Sequence, residues 1–211
     1  MSRSVVLVDS GGSNLSSVQA ALARLGVNAP VTSDWSIIQS ASHVILPGVG
    51  AANTAMQRLH AHDLVQRLPT LMQPVLGVCV GVQLLFASSE ETGADAAQTP
   101  CLGVIDAPVL KLKASPGLRI PHMGWNQIHV TSAYQSASPG GAALLAGLDG
   151  AYAYFVHSFA APIGDYTLAS CTYGMPFSAV VAARNFYGAQ FHPERSQAAG
   201  ARLLQNFLAL T

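Results

Sequence analysis

The stretch PVLGVCVG, from Pro74 to Gly81, is typical of a buried β-strand that ends in a sharp turn into a helix. Its last five residues have the form Gly-x-Cys-x-Gly, a cysteine version of the nucleophile elbow, which raises a reactive side chain above the edge of a sheet. The flanking glycines allow the turn and a close backbone approach, and the start of a helix favours a thiolate at Cys79 over a thiol. The alternative is a buried structural cysteine at a tight turn. Other parts of the sequence are needed to distinguish a reactive cysteine from a structural one.

The composition limits the class of protein. The chain has 211 residues, of which 50% are hydrophobic and 9% charged, and ten basic residues balance ten acidic ones. This length fits one α/β domain over residues 1–211, and the neutral balance provides no basic surface for nucleic acid. The longest nearly apolar run, residues 74–86, is too short to span a membrane. A surface with so few charges tends to associate, which favours a standing protein partner.

The cysteines and the beginning of the chain indicate the compartment. Cys79, Cys101 and Cys171 form no close pair, so they predict neither a disulfide framework nor a zinc site. No signal peptide is visible, because the apolar run Val5–Val8 is short and ends at Asp9. We therefore expect a cytoplasmic protein with no metal and no cofactor.

The first half of the chain alternates strand and helix signals. Strands are predicted at Val5–Val8 and His43–Leu46 and before the elbow, and a helix begins with Ser13 or Asn14 as its N-cap and ends at Gly26. A second helix follows residue 50, and a third follows the elbow and includes residues 82–86. Such repeated units predict an α/β fold with an open, mostly parallel sheet flanked by helices.

The second half changes character and predicts antiparallel additions to that sheet. Short β-rich segments lie at residues 108–112, 127–130, 151–158, 166–172, 179–182 and 186–191, and a closing helix lies at residues 196–210. Residues 88–99 are polar and typical of a loop. In open α/β sheets, sites lie at the carboxyl ends of strands. The polar or glycine-rich loops at residues 9–14, 47–50 and 77–81 are therefore expected to converge on one crevice.

A cysteine nucleophile needs a base, and that base needs a group that orients it. The sequence QFHPE, residues 190–194, ends a predicted strand. His192 and Glu194 are two residues apart, so in an extended chain their side chains point to the same face. Glu194 can then accept one imidazole N–H and turn the other nitrogen toward the sulfur, while Pro193 stiffens the spacing and ends strand pairing.

The other histidines compete for the role of base. His122 and His157 lie in distinctive local sequences, but neither has a carboxylate two residues further on. The remaining ones lack a carboxylate in this geometry, apart from the pair of His62 and Asp63 on a predicted helix surface, where solvation is expected; they are His43, His60, His62 and His129. His192 is therefore the predicted base.

Acyl chemistry also needs donors for a developing oxyanion. The Val80 N–H directly follows the candidate nucleophile, and the loop Pro47-Gly48-Val49-Gly50 can present a second backbone N–H, because glycine lets a peptide plane turn toward the site. Gln83 lies one helical turn beyond Cys79 and should face the same crevice. Its amide could equally satisfy a buried polar group.

Together, GVCVGVQLL at residues 77–85, PGVG at 47–50 and QFHPE at 190–194 resemble the class I glutamine amidotransferase family. In that family a Cys–His–Glu triad hydrolyses glutamine to glutamate and ammonia through a thioester. The resemblance implies a flavodoxin-like fold with added antiparallel strands. It also implies a role for each matching residue: Cys79 as nucleophile, His192 as base and acid, Glu194 as its orienting group, Gly48, Val49, Gly50 and Val80 as the oxyanion region, and Gln83, Ser158 and Phe159 as the residues that hold glutamine.

Three further stretches resemble the glutaminase subunits of imidazole glycerol phosphate synthases: NLSSV at 14–18, IPHMGWN at 120–126 and YFVHSF at 154–159. The resemblance implies a heterodimer with a (β/α)8-barrel cyclase, which uses the ammonia to make imidazole glycerol phosphate and AICAR in histidine biosynthesis. Met123, Trp125 and Arg195 are then interface candidates, although Met123 also fits a core position. The first loop reads DSGGSN instead of the family's DYGxGN, so its arrangement near the partner is expected to differ.

Two alternatives stay open at this point. One is an amidotransferase subunit that serves another synthase, such as the pyridoxal phosphate synthase, although the HMGWN stretch argues against it. The other is a flavodoxin-like domain whose elbow cysteine senses oxidants or hydrolyses another small substrate.

Overall fold

Strands and helices alternate through the first half of the chain, as the sequence predicts. The computed structural model describes residues 4–11, 14–48, 50–92, 98–114, 117–131 and 140–211. The elements of the first half are β1 (Val5–Val8), α1 (Leu15–Arg24), β2 (Val31–Thr32), α2 (Trp35–Ser40), β3 (His43–Gly48), α3 (Ala52–Ala61), β4 (Val75–Cys79), α4 (Val80–Gln83), β5 (Phe86–Ser89) and β6 (Thr99–Pro100).

The second half consists mainly of strands. Its elements are β7 (Ile105–Lys111), β8 (His122–Gln127), β9 (His129–Val130), α5 (Gly141–Leu144), β10 (Tyr152–His157), β11 (Phe159–Ala160), β12 (Thr167–Tyr173), β13 (Met175–Ala183), β14 (Phe186–Ala189) and α6 (Gln197–Leu208). The β-rich segments and the closing helix predicted for this half are confirmed within a few residues.

An eight-stranded sheet has the order β2-β1-β3-β4-β14-β13-β12-β9. The five strands from β2 to β14 are parallel, whereas β13, β12 and β9 extend the sheet in antiparallel pairing. Every residue of β1, β3, β4 and β14 is buried, which explains why these strands appear in the sequence as continuous apolar runs. The predicted fold class is confirmed.

Two smaller sheets stand beside the large one. Strands β8 and β10 form an antiparallel pair in which Trp125 lies opposite Tyr154 and His122 opposite His157. Strands β11, β7, β5 and β6 form a four-stranded sheet. The loops at the carboxyl ends of β1, β3 and β4 lie next to one another, because these strands are parallel neighbours. Gly50, Cys79 and Val80 line one cavity, whereas Gly11 and Asn14 line a separate, smaller hollow with Gly48 and His192. The convergence on one crevice is thus confirmed for the second and third loops but not for the first, and residues 12, 13 and 49 lie outside the described part of the chain.

The helix predicted after the elbow is much shorter than expected. It covers Val80–Gln83, and the chain then enters β5, which pairs in parallel with β7. Leu84, Leu85 and Phe86 are at most 1% exposed, and an apolar run that is buried on all sides does not distinguish a helix from a strand. Residues predicted as a polar loop also contribute β6. Within the described part of the chain, no helix has the length and apolarity needed to cross a membrane.

Candidate active site

Cys79 ends the buried central strand β4 in a strained backbone conformation, with φ 53° and ψ −112°. The glycines on either side do not adopt positive φ; they make room instead. A Cβ at Gly81 would lie 1.8 Å from the Leu46 carbonyl oxygen, and one at Gly77 would lie 2.6 Å from the Gly81 oxygen. The close approach predicted for these glycines is confirmed, but the strained turn itself belongs to Cys79, as in a nucleophile elbow.

The elbow helix α4 has four residues, so it carries only a small dipole. The polar groups that act on Cys79 are therefore the backbone N–H groups of its first turn and neighbouring side chains. Cys79 itself is 4% exposed, and its Sγ lies 3.9 Å from the Val156 carbonyl oxygen. The thiol is thus held in a protected position at the carboxyl edge of the sheet.

His192 and Glu194 meet as predicted, although the backbone differs from the expected extended strand. Strand β14 ends at Ala189, and Pro193–Arg195 form a turn of 3-10 helix. Proline restricts φ and cannot donate to a ladder, so pairing ends and the chain turns. This turn brings the Glu194 Oε1 atom to 2.8 Å from His192 Nδ1, and the Glu194 side chain is 1% exposed.

The proton positions follow from this contact. A carboxylate can only accept, so His192 Nδ1 donates and Nε2 is the atom left for Cys79. Burial alone would lower the pKa of His192, but its interactions with Cys79 and Glu194 outweigh burial and raise that pKa to about 10. Burial likewise opposes ionisation of Glu194, yet bonds from His192 and Asn14 keep its pKa below the ordinary value. The site therefore favours an imidazolium between two acidic groups.

Asn14 joins this arrangement, which the sequence reasoning missed. It occupies the predicted N-cap position of α1, but its side chain makes no capping bond. Its Nδ2 atom donates instead to Glu194 Oε1 at 2.5 Å. The only sequence signal was the expected convergence of the first loop on the crevice.

A cavity of about 300 Å³ opens over the sulfur, at the lower end of the range for small-molecule sites. Its walls include Cys79, His192 and five further residues predicted from the sequence: Gly50, Val80, Gln83, Ser158 and Phe159. The sequence reasoning did not assign four other lining residues to the site: Glu91, Pro121, Val156 and His157.

The predicted oxyanion region lies where the strands place it. Gly48 is the register partner of Cys79 in the β3–β4 pair, and a Cβ there would lie 2.8 Å from Val80 Cβ. Gly48 therefore stands behind the elbow, while Gly50 and Val80 line the cavity. Val49 lies outside the described residues.

Two polar side chains in the cavity wall could hold a ligand. Gln83 is 3% exposed and donates from Nε2 to the Phe159 oxygen at 3.0 Å and to Gln190 Oε1 at 3.2 Å. Its own Oε1 is buried and has no partner among the described residues. Glu91 accepts the Ala52 N–H at 2.7 Å, and burial raises the pKa of this carboxyl group.

The competing histidines His122 and His157 do not take the position of the base. Both are buried, and they hydrogen-bond to each other through His122 Nδ1 and His157 Nε2 at 3.0 Å. Among the described residues, no group of histidine, cysteine, aspartate or glutamate side chains could hold a metal ion.

The three interface candidates lie at the surface, outside the cavity. Met123 is 63% exposed, which rules out the core alternative for it, and Trp125 is 46% exposed. Tyr152 is 59% exposed on the paired strand β10. We call Met123, Trp125 and Tyr152 the β8–β10 face. Arg195 is also exposed, in the turn whose next residue, Ser196, accepts the Tyr154 N–H at 2.9 Å.

Comparison with known proteins gives consistent similarities. The family model for class-I glutamine amidotransferases matches residues 6–210. The imidazole glycerol phosphate synthase subunit HisH of Vibrio cholerae is 47% identical over 212 residues, with 100% of each chain covered. The protein of the same name from Shewanella oneidensis is 47% identical over 216 residues, with 98% of this chain and 96% of its own covered. A crystal structure of a glutamine amidotransferase shares the fold, with a TM-score of 0.70, 19% identity and coverage of 97% and 96%.

Proposed function

Since this chain belongs to the class-I glutamine amidotransferase family, we propose that it is the glutaminase subunit of an imidazole glycerol phosphate synthase. It hydrolyses L-glutamine to glutamate and ammonia, and the ammonia passes to a cyclase subunit. One observation carries the chemistry: Cys79 and His192 line the same cavity, and His192 is bound to the buried Glu194. The full-length relatives named above support the choice of synthase.

In the first half-reaction the Cys79 sulfur attacks the side-chain carbonyl carbon of glutamine. The tetrahedral intermediate collapses when the C–N bond breaks, and His192 Nε2 gives its proton to the departing amine. Ammonia leaves and a glutamyl thioester remains on Cys79. The raised pKa of His192 suits this step, because the ring holds the proton that the leaving group needs.

In the second half-reaction, water attacks the thioester while the neutral His192 takes its proton. The C–S bond breaks, glutamate leaves, and the thiolate and imidazolium are restored. Both tetrahedral intermediates carry an oxyanion, for which the Val80 N–H and an N–H of the loop 48–50 are the donors. One such donor is typically worth a factor of about 10²–10³ in rate.

The cavity also offers partners for the amino-acid end of glutamine. The α-ammonium group would donate to the Glu91 carboxylate, and the Gln83 side chain forms part of the same wall. The α-carboxylate would accept from backbone N–H groups near Ser158 and Phe159, which line the same wall.

The β8–β10 face would dock on a (β/α)8-barrel cyclase to form a heterodimer, with Arg195 at its rim. Exposed aromatic and methionine side chains are the types enriched in protein interfaces, and Val156 of β10 lines the cavity itself. Ammonia released there would therefore start its path close to the partner.

The role of an oxidant sensor, considered from the sequence, fits less well. Sensor cysteines are solvent-accessible thiolates, whereas Cys79 is 4% exposed. A thiol recessed in a cavity is better suited to capture a bound substrate.

The test removes the proposed nucleophile by mutation and supplies ammonia, the product of glutamine hydrolysis, from outside. We expect Cys79→Ala in the complex with the cyclase to abolish glutamine hydrolysis and glutamine-dependent synthesis but to keep synthesis from added ammonium. Cys101→Ala is the matched control, since Cys101 does not line the cavity, and it should keep both activities. Glutaminase activity in the Cys79→Ala variant would refute the triad, and a synthase product other than imidazole glycerol phosphate would refute the assignment to this synthase.

A further inference from the structure

A row of hydrogen bonds runs from strand β8 to the wall of the cavity. Asn126 Nδ2 lies 3.4 Å from His122 Nε2, His122 Nδ1 lies 3.0 Å from His157 Nε2, and His157 Nδ1 lies 2.9 Å from the Phe159 carbonyl oxygen. Both imidazoles are buried, with 3% and 5% exposure. Neither takes part in the proposed chemistry, so this row needs another explanation.

The two ends of the row fix the direction of every bond. A carbonyl oxygen can only accept, so His157 Nδ1 carries the proton and its Nε2 accepts from His122 Nδ1. At the other end, Asn126 Oδ1 accepts the Gln127 N–H at 2.8 Å and Nδ2 donates to the Thr172 oxygen at 2.9 Å. The amide therefore presents an N–H to His122 Nε2. All donors point from Asn126 toward Phe159.

The surroundings keep both rings neutral. His122 is stacked against Tyr173 and Phe155, with centroid distances of 4.0 and 4.9 Å. Burial lowers the pKa of His122 to about 4, and burial is also the main cause that lowers the pKa of His157 to about 3. A second proton on His157 would place its Nε2–H against the Nδ1–H of His122. A second proton on His122 would place its Nε2–H against the side-chain N–H of Asn126.

The row ends on an atom that the glutamine site uses. The Phe159 oxygen also accepts from Gln83 Nε2 at 3.0 Å. His157 and Gln83 thus share one acceptor, and both line the cavity together with Phe159. A shift of this carbonyl would move the Gln83 amide and with it the part of the cavity wall that Gln83 and Phe159 form.

We propose that Asn126, His122 and His157 form a one-directional chain of neutral hydrogen bonds that fixes the Phe159 carbonyl and, through it, the Gln83 amide. The two histidines are then positioning residues for the amino-acid end of the substrate, and they do not touch the reacting bond. The identity of that substrate rests on the proposed glutaminase function, whereas the chain of bonds does not.

The first test measures the tautomers and needs no activity. Nitrogen-15 NMR of histidine-labelled protein should show His122 and His157 as neutral rings protonated at Nδ1 near pH 7. A spectrum in which either ring carries its proton at Nε2, or in which either ring is doubly protonated, would overturn the proposal.

The second test separates positioning from a general loss of structure. In His157→Asn the side-chain amide nitrogen can occupy the place of Nδ1 and keep the bond to Phe159, whereas in His157→Gln the amide reaches only the place of Nε2. In the complex with the cyclase, we expect His157→Gln to raise the KM for glutamine about tenfold, the effect of one buried acceptor that loses its donor. His157→Asn should raise KM clearly less than His157→Gln does, and kcat should change less than KM in both.

The outcomes distinguish this inference from the proposed function. Equal KM values in the two variants, or a loss confined to kcat, would overturn the positioning role. Alkylation of Cys79 by iodoacetamide, which does not use the amino-acid pocket, should proceed at a similar rate in both variants and shows that the elbow is intact. If the unaltered complex hydrolyses no glutamine, the proposed function fails, and the NMR tautomers alone then decide whether the hydrogen-bond chain exists.

Discussion

Cys79 combines a left-handed backbone with nearly complete burial. A non-glycine residue in such a conformation costs of order 1–3 kcal/mol and persists where the surroundings determine it. Here the surroundings are β3 and β14, which pair with β4 on both sides. The strain places the sulfur where His192 can reach it, which a relaxed strand end would not do.

Asn14 is the residue whose removal tests the support of the triad. We expect Asn14→Ala to lower kcat/KM for glutamine about tenfold or more, because a hydrogen bond to a charged group contributes about 1.5–3 kcal/mol and its loss loosens Glu194. Ammonia-dependent synthesis should be unchanged. Ser16→Ala, on the exposed side of the same helix, is the control. Equal glutamine kinetics in the two variants would mean that the Asn14–Glu194 hydrogen bond does not support catalysis.

The meeting of His192 with Glu194 and the position of Cys79 beside His192 could be predicted from the sequence, but the residues that support this arrangement could not. The motifs around Cys79 and His192 have local spacings that carry their chemistry. A local rule predicts that Asn14 caps its own helix, whereas its side chain bonds to a carboxylate 180 positions further along the chain. Glu91 was missed for a similar reason: it lies in a polar loop without a motif, and a bond to the Ala52 N–H, 39 positions away, holds it.

At the scale of elements, the elbow depends on how closely β3, β4 and α4 approach one another. Gly48, Gly77 and Gly81 have no side chain at the points where these backbones meet. This contact explains the glycine spacing better than backbone flexibility does, because Gly77 and Gly81 adopt no positive φ. The same contact holds the Val80 N–H next to the end of β3.

Gly81→Ala should therefore damage both stability and activity. Its Cβ would overlap the Leu46 carbonyl oxygen. Overpacking of this kind typically costs about 1–3 kcal/mol of unfolding free energy. We expect the upper end of this range, because a backbone oxygen in a buried strand cannot move aside as a side chain can. Gly26→Ala is the control: it meets no atom within 4 Å but has φ 77°, so it should cost about 1–2 kcal/mol and leave the glutamine kinetics unchanged. Urea unfolding and glutaminase assays measure both; a Gly81→Ala variant with full activity would contradict this account of the elbow.

The sequence predicts the individual elements better than their partners. Strands β1, β3 and β4 are buried apolar runs that end at polar or glycine-rich loops, so their signals are local. The pairing of β8 with β10 and of β5 with β7 joins distant segments, which no local pattern specifies. The run Leu84 to Phe86 was assigned to a helix because its apolarity alone cannot choose between the two structures.

At the scale of the molecule, the two halves of the chain have different tasks. The parallel half supplies Cys79 and the elbow, and the antiparallel half supplies the wall with Ser158 and Phe159 and the exposed β8–β10 face. Because Ser158 and Phe159 directly follow β10 in the chain, substrate and partner would be bound on neighbouring surfaces. Only 9% of the residues are charged, which also suits a protein that works within a complex.

Two exposed methionines allow a matched test of the proposed docking face. Met123 is 63% exposed on that face, and Met72 is 85% exposed just before β4. We expect Met123→Asp to weaken binding to the cyclase about tenfold or more, because a buried unpaired charge in an interface is strongly unfavourable. Met72→Asp should bind as the unaltered protein does. Titration calorimetry with the purified cyclase measures both dissociation constants.

The same variants show whether catalysis depends on docking. We expect the chain alone to hydrolyse glutamine slowly and the complex to do so faster, since an oxyanion donor contributes a factor of about 10²–10³ and the loop 48–50 would be set by the partner. At a cyclase concentration that saturates the unaltered chain, Met123→Asp should then lose glutaminase activity in proportion to its lost binding, and excess cyclase should restore it. Equal binding by the two variants would exclude this face as the interface. Equal glutaminase rates with and without the cyclase would show that glutamine hydrolysis does not depend on docking.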